Sequence, residues 1–193
     1  IEVDQLATGT RLQSESTAGI SPFSSAADTV GTGVLTFAVG SDSFDITIDN
    51  TDSLSTIRDK INDSTDNFGV VANVVTTDSG TFLSYNSEIT GAANSLTVTT
   101  SDTSLNAISA NTTEEQVAQD AIIKIDGSTV TNSTNEFKNN IEDVTITASK
   151  VNTGSPTTLS ITQDDDSARD LITSFVDGYN ALVNTMTTLS NPE

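Results

Sequence analysis

Hydrophobic residues in the first hundred positions come in short alternating runs, a pattern typical of half-buried β-strands. Ile1 and Val3 alternate with acidic residues and predict an opening strand. A Ser/Thr/Gly-rich loop is predicted over residues 13–29. The next run, around a Gly-Ser-Asp turn, predicts a hairpin of residues 34–39 and 44–48. Three further strands are predicted at residues 70–75, 81–85 and 96–100.

One short helix is predicted between the hairpin and the later strands. Leu54, Ile57 and Ile61 follow one another at spacings of three and four, which places them on one face of a helix. Either Asp52 or Ser53 is a suitable N-cap, because both side chains can accept a hydrogen bond from the first free amides.

The second part of the chain repeats this order in outline. Residues 122–125 predict a strand that ends at the turn Asp126-Gly127. Thr134 and the two residues after it predict an N-cap and first helical turn, with Phe137 and Ile141 one turn apart. Strands are predicted over 144–147 and 159–161, with a loop at 154–156. The recurrence is a weak internal repeat, and two similar α+β patterns arising independently are the alternative.

The last predicted element is a long amphipathic helix that starts after an acidic run at 164–166, where the helix dipole favours negative charge. Its apolar positions alternate in steps of four and three, which is the heptad pattern of a coiled coil. We call these seven residues the seam: Ala168, Ile172, Phe175, Tyr179, Leu182, Met186 and Leu189. A core helix of one domain shows the same pattern. No other long helix is predicted, however, so we expect the seam to bind a partner in another segment or another subunit. We also expect the chain to be a fragment of a longer protein, because it starts without Met and stops just after Asn191-Pro192.

Composition narrows the class of protein. The chain has 27 acidic and 7 basic residues and a net charge of −20, which opposes binding to nucleic acid and to anionic membranes. No apolar stretch approaches the roughly 20 residues of a membrane span, so no membrane insertion is predicted. Ser and Thr together account for 58 of 193 residues and there is no Cys, which suits an extracellular, β-rich bacterial protein. Disorder is the alternative, but the periodic apolar runs favour packed strands.

The residue types argue against catalysis. His and Cys are absent, which excludes His-based triads, thiol nucleophiles and Cys/His zinc sites. Asp49 and Asp52, or the acidic run at 164–166, resemble calcium ligands only superficially, because neither follows the EF-hand spacing; helix capping and a solvated face are the simpler readings. A Ser or Thr nucleophile would need a base, and none of the four Lys stands in a Ser-x-x-Lys arrangement. A glycosidase-like carboxylate pair remains open, although the chain has no Trp and two Tyr to line sugar subsites. We predict no enzyme, no metal and no cofactor.

Motifs spread along nearly the whole chain, in order, point to one known family. The opening Val-x-Gln-Leu-Ala stands at residues 3–7 and a hairpin entry at 23–36. A flagellin-insert motif is matched by Ser-Leu-Ser-Thr-Ile-Arg-Asp-Lys-Ile-Asn at 53–62, by Gly69-Val70 and by residues 90–97. Later matches stand at 119–121, 125–127, 133–135, 159–164 and 175–182. Together they resemble the bacterial flagellar filament-capping family, hook-associated protein 2.

The resemblance implies a fold that is mainly β with short helices (α+β). It implies two β-rich head domains, one inserted in the other, plus a C-terminal amphipathic helix. The expected division is an inner head domain formed by 1–30 and 118–163, an outer inserted domain at 31–117, and a helix at 164–193 that leads into a helical leg.

The resemblance also implies a function. Members of this family are secreted structural caps at the distal tip of the flagellar filament, where they form a homo-oligomeric ring and promote folding and insertion of exported flagellin. The implied partners are therefore other copies, flagellin and the filament tip. The alternative is an adhesin-type module on the bacterial surface that binds mucin or host glycans. The heptad of the last helix favours the cap, because a self-contained adhesin domain has little need of it.

Overall fold

The computed structural model describes residues 1–16, 19–160 and 165–190, apart from the side chains of Asp165 and Ala168. The chain divides into two compact units, residues 1–157 and residues 158–193. The fold is mainly β with a C-terminal helix, as predicted. The first unit contains two separate hydrophobic cores.

The larger core lies between two antiparallel sheets and one helix. One sheet has the strand order β4-β3-β7 and the other the order β5-β6-β2-β8. Alternation along β3 buries Leu35, Phe37 and Val39 while the residues between them stay half-buried, as the period of two requires. The strands are β2 (Arg11–Gln13), β3 (Gly33–Val39), β4 (Asp42–Ile48), β5 (Val70–Thr77), β6 (Gly80–Ser87), β7 (Leu96–Thr100) and β8 (Thr113–Gln116).

Helix α1 (Leu54–Asn62) seals this core. Its Leu54, Ile57 and Ile61 are fully buried, as their spacing predicted. Ser53 is the N-cap and accepts a hydrogen bond from the backbone N–H of Thr56 at 3.2 Å.

Tyr85 is the largest fully buried side chain of the larger core. Its ring meets Phe37 edge-on at 5.2 Å between centroids. Its hydroxyl donates a 2.8 Å hydrogen bond to the carbonyl oxygen of Ile108, at the end of a 3-10 helix (Thr103–Ile108). Burial raises the pKa of this phenol far above its ordinary value of 10.0.

The smaller core is built from the beginning and the later part of the unit. Its first sheet has the order β1-β9-β10, and a separate hairpin pairs β11 with β12. Val3 of β1 pairs with Ile123 of β9, and both are buried with Phe137. The strands are β1 (Glu2–Gln5), β9 (Ala121–Ile125), β10 (Ser128–Asn132), β11 (Glu136–Ile141) and β12 (Val144–Thr147).

The helix predicted from Thr134 onward is wrong, because residues 136–141 form strand β11. Phe137 and Ile141 are four residues apart, a spacing that fits one face of a strand as well as one turn of a helix. Asn139 has a φ of 60°, and the register of the hairpin shifts between Lys138 and Ile141, as in a β-bulge. The strand predicted at 159–161 is also not observed at 159–160, and residue 161 lies outside the described part.

The two cores differ from the predicted inner and outer head domains in where part of the segment 1–30 lies. Leu12 and Phe23 lie in the larger core, although residues 1–30 were assigned to the inner domain. For Leu12 the cause is β2, which pairs with β6 and with β8. Phe23 is attached to β6 through an isolated bridge to Thr81. Three residues of strand, with one buried, carry too little hydrophobic pattern to be recognised in the sequence.

The two ends of the first unit are hydrogen-bonded to each other. The amino group of Ile1 donates to the carbonyl oxygen of Thr157 at 2.6 Å, and the N–H of Thr157 donates to the carbonyl oxygen of Ile1 at 2.8 Å. The N–H of Asn152 donates to Val3 at 3.0 Å. Residues 152–157 therefore lie along the outer edge of β1.

Candidate partner-binding helix

The second unit contains one long helix, α2 (Asp165–Ser190), of 26 residues. Two acidic residues open it, which suits the positive end of the helix dipole. Three threonines in its last turns donate their hydroxyls to the carbonyl four residues earlier at 2.9 Å: Thr185, Thr187 and Thr188. Their polar groups are thus satisfied within the helix, on residues outside the seam.

The seam residues lie along one side of α2 and are exposed to solvent. Six of the seven have described side chains, and between 57% and 77% of each is exposed. The side chain of Ala168 lies outside the described residues. Leu171, Val176 and Val183 border the seam and are also exposed. Such a continuous apolar stripe on one helix has the pattern of a surface that packs against another helix.

Burying the exposed side chains of the seam would be strongly favourable in free energy. Burial of one large apolar side chain stabilises a protein by roughly 1.5–3 kcal/mol relative to exposure. Six such side chains on one face can therefore stabilise a complex well beyond what a lone helix gains by folding, because isolated helices are marginal in water. Since α2 is the only helix or strand described in residues 158–190, no described element of its own unit covers the seam.

The acidic residues considered as calcium ligands have other partners. The Asp52 carboxylate, with 9% of its side chain exposed, accepts a 2.8 Å hydrogen bond from the N–H of Asp49 and a 2.5 Å ion pair from Lys60. Burial raises the pKa of Asp52, but these contacts outweigh it and hold the pKa below its ordinary 3.8. The hydrogen bond to Asp52 likewise raises the pKa of Lys60. The contacts of Lys60 with Asp49 and Asp52 therefore hold α1 against the end of β4, while Ser53 caps the helix.

Lys60 was missed as a partner of Asp52 by sequence reasoning. The two residues are eight apart, and only the turn of α1 back toward β4 brings them together. Of the second acidic run, Asp164 lies outside the described residues, and Asp166 pairs with Arg169 at 3.5 Å. Among the described residues there is no group of three or more acidic side chains placed to hold a metal ion. None of the described helices has both the length and the apolar character needed to cross a membrane.

Two protein-family models match the chain in sequence order. Residues 34–102 match the flagellin hook IN motif, and residues 118–193 match the C-terminus of flagellar hook-associated protein 2. The second match includes the whole of α2. The first covers most of the larger core.

Individual relatives agree with these models. Flagellar hook-associated protein 2 of Aeromonas caviae is 33% identical over 167 residues, which are 81% of this chain and 36% of the relative. The crystal structure of FliD from Pseudomonas aeruginosa is similar with a TM-score of 0.82 and 25% identity, over 100% of this chain and 91% of that one. The crystal structure of the D1-D2-D3 domains of the Escherichia coli flagellar cap protein FliD is similar with a TM-score of 0.77 and 30% identity. The similarity covers 98% of this chain and 55% of that one. The chain thus spans about a third of the length of the curated relatives it matches.

Proposed function

The chain belongs to the flagellar hook-associated protein 2 family, and from this premise we propose that it is part of a structural cap at the distal tip of the bacterial flagellar filament. In this role residues 1–157 form the head, and α2 begins the helical leg that holds the cap on the filament. The adhesin alternative has no support among the relatives, whose names are those of hook-associated and cap proteins.

The exposed seam of α2 is the observation that carries this proposal. A head that worked alone would gain nothing from six large apolar side chains held in water on one helix. A leg built from several helices needs such a stripe on each of them, because coiled helices pack through a and d positions. The seam residues are therefore proposed to be covered in the full-length protein by other helical segments of the leg.

The head is proposed to contain two domains that correspond to its two hydrophobic cores. In this division the larger core, with α1, is the outer domain, and the smaller core is the inner one. The first boundary then falls near Gly9, before β2, and the second near Val117, before β9. The family further suggests that copies assemble into a ring, contact flagellin and work outside the cell after secretion.

No catalytic site is proposed in this chain. His and Cys are absent, and the buried Asp52 is already paired with Lys60. A reproducible glycosidase or peptidase activity that is lost on a single Asp→Asn or Glu→Gln substitution would overturn this.

Motility complementation tests the cap proposal. A strain that lacks the full-length gene is complemented with the gene carrying Phe175→Asp and Leu182→Asp, and swimming, cap staining at filament tips and flagellin lost to the medium are scored. We expect poor swimming and abundant free flagellin, since two carboxylates on the seam oppose helix packing. The matched control carries Thr173→Asp and Asn180→Asp, which add the same charge to the face opposite the seam, and it should swim normally.

Two results would contradict the proposal. Normal swimming of the seam variant would show that the leg does not use these residues. Hydrogen exchange gives an independent test: if the amides of residues 171–186 are equally protected with and without the remaining leg segments, the seam has its partner within this chain.

A further inference from the structure

The seam of α2 is complementary to itself when two helices run in opposite directions. We propose that two copies of this chain pair through an antiparallel α2–α2 contact whenever the rest of the leg is absent. The inference rests on the proposed function only in treating the seam as a partner-binding surface. It adds a different occupant, a second copy, and an orientation.

The register follows from the heptad. In an antiparallel pair, a positions of one helix face d positions of the other. Centring the pair between Asn180 and Ala181 lets Tyr179 face Leu182 of the second copy. Moving outward, Phe175 then faces Met186 of the second copy, and Ile172 faces Leu189 of the second copy. The twofold axis repeats each layer, so all six described seam residues are matched and none is left over.

The layers also suit each other in size and chemistry. The Phe175 layer brings a thioether against an aromatic ring, a favourable contact. The outer layers pair two aliphatic side chains of similar volume. All six side chains are more than half exposed in the single chain, so each of them loses contact with water in the pair.

The charges of α2 favour the antiparallel orientation. Its acidic residues all lie in the first half, at 165, 166, 170 and 177, and residues 178–190 carry no charge. An antiparallel pair sets the acidic half of each helix beside the uncharged half of the other. It also sets opposite ends of the two helix dipoles side by side. A parallel pair would bring the acidic halves together, and with them two heads that hold most of the net charge of −20.

Sedimentation velocity on the 193-residue chain tests the pairing. We expect a monomer–dimer equilibrium that shifts toward dimer as salt rises, because two chains of net charge −20 repel each other and salt shortens the range of that repulsion, to about 8–10 Å at physiological ionic strength. The variant Phe175→Asp with Leu182→Asp should remain monomeric at every salt concentration. The control Thr173→Asp with Asn180→Asp should dimerise like the parent chain. A parent chain that stays monomeric at high salt, or a control that loses the dimer equally, would overturn the proposal.

Disulfide trapping tests the orientation of the two helices. Because the chain has no native Cys, every disulfide formed must involve the introduced residues. Ile172→Cys and Leu189→Cys chains, one of them with a longer tag, are mixed at high salt and oxidised. The antiparallel pair predicts the mixed disulfide as the main product, and the Thr173→Cys chain, on the opposite face, should give little product with either. Predominant homodimer disulfides would mean a parallel pair and refute the inference. These results are independent of motility, so the pairing can fail while the cap function stands.

Discussion

The hydroxyl of Tyr85 is the most informative single group to remove, because it links the larger core to the 3-10 helix. Tyr85→Phe keeps the ring and its edge-on contact with Phe37 but leaves the buried carbonyl of Ile108 without its donor. An unsatisfied buried polar group costs about 1–3 kcal/mol. We therefore expect the free energy of unfolding to fall by that amount at pH 7, measured by urea denaturation followed by far-UV circular dichroism.

The same substitution should change how stability depends on alkaline pH. The folded-state pKa of Tyr85 is raised above the unfolded value of 10.0, so the phenol keeps its proton in the fold when the unfolded chain loses it. Its contribution is complete below pH 10 and is lost as pH rises further, at about 1.4 kcal/mol per pH unit. Because Phe has no such proton, the stability gap between parent and Tyr85→Phe should shrink above pH 10 and close within about two units.

The chain supplies its own control for this experiment. The only other tyrosine, Tyr179, lies on the exposed seam with 59% of its surface accessible. Tyr179→Phe should leave the head's stability unchanged. In that variant Tyr85 is the sole tyrosine, so tyrosinate absorbance at alkaline pH should rise only together with unfolding. A stability gap that stays constant from pH 8 to pH 11.5, or tyrosinate forming in the folded protein, would refute the reasoning.

Three further substitutions test other parts of the structure. Asp52→Asn should cost about 1–3 kcal/mol at pH 7, because it removes the charge that pairs with Lys60. Since the folded-state pKa of Asp52 lies below 3.8, this cost should start to fall as pH drops below 3.8 and vanish only below the folded-state pKa, which urea midpoints across pH would reveal. Gly9→Ala should destabilise the head by about 1–3 kcal/mol, since the new Cβ would overlap the carbonyl oxygen of Ser87, and an unchanged melting temperature would contradict the packing at this crossing between the cores. Gly178→Ala meets open space in the middle of α2 and should raise helicity in circular dichroism by stabilising the helix by up to about 1 kcal/mol.

The elements with a clear apolar rhythm could be predicted from the sequence. Helix α1 follows from Leu54, Ile57 and Ile61, and α2 follows from the steps of three and four along its seam. The β3–β4 hairpin follows from alternation on both sides of its turn. In each case one face is wholly apolar, so the period could be read directly.

The elements that could not be predicted lack that rhythm. Strand β8 is Thr-Glu-Glu-Gln with all four residues exposed, and its place is set by pairing with β2. The spacing of four between Phe137 and Ile141 in strand β11 fits both a helix and a strand, so it does not distinguish the two periods. The Asp52–Lys60 pair depends on how α1 turns back toward β4, which no local pattern encodes. The seam was visible in the sequence, whereas a heptad pattern by itself does not identify which helix packs against it.

The reciprocal hydrogen bonds between Ile1 and Thr157 have a mechanical consequence. The chain enters and leaves the first unit through a single point, so two flanking tethers would pull on the head side by side. When both flanking segments are pulled in the same direction, the force acts on the head only at Ile1 and Thr157 and does not act across the sheets. A load that separates the tethers breaks the bonds along residues 152–157 one after another, as in opening a zipper, and peels that segment from β1 before either core is stretched. Single-molecule pulling from residues 1 and 157 should therefore find an early, low-force opening ahead of the main unfolding event.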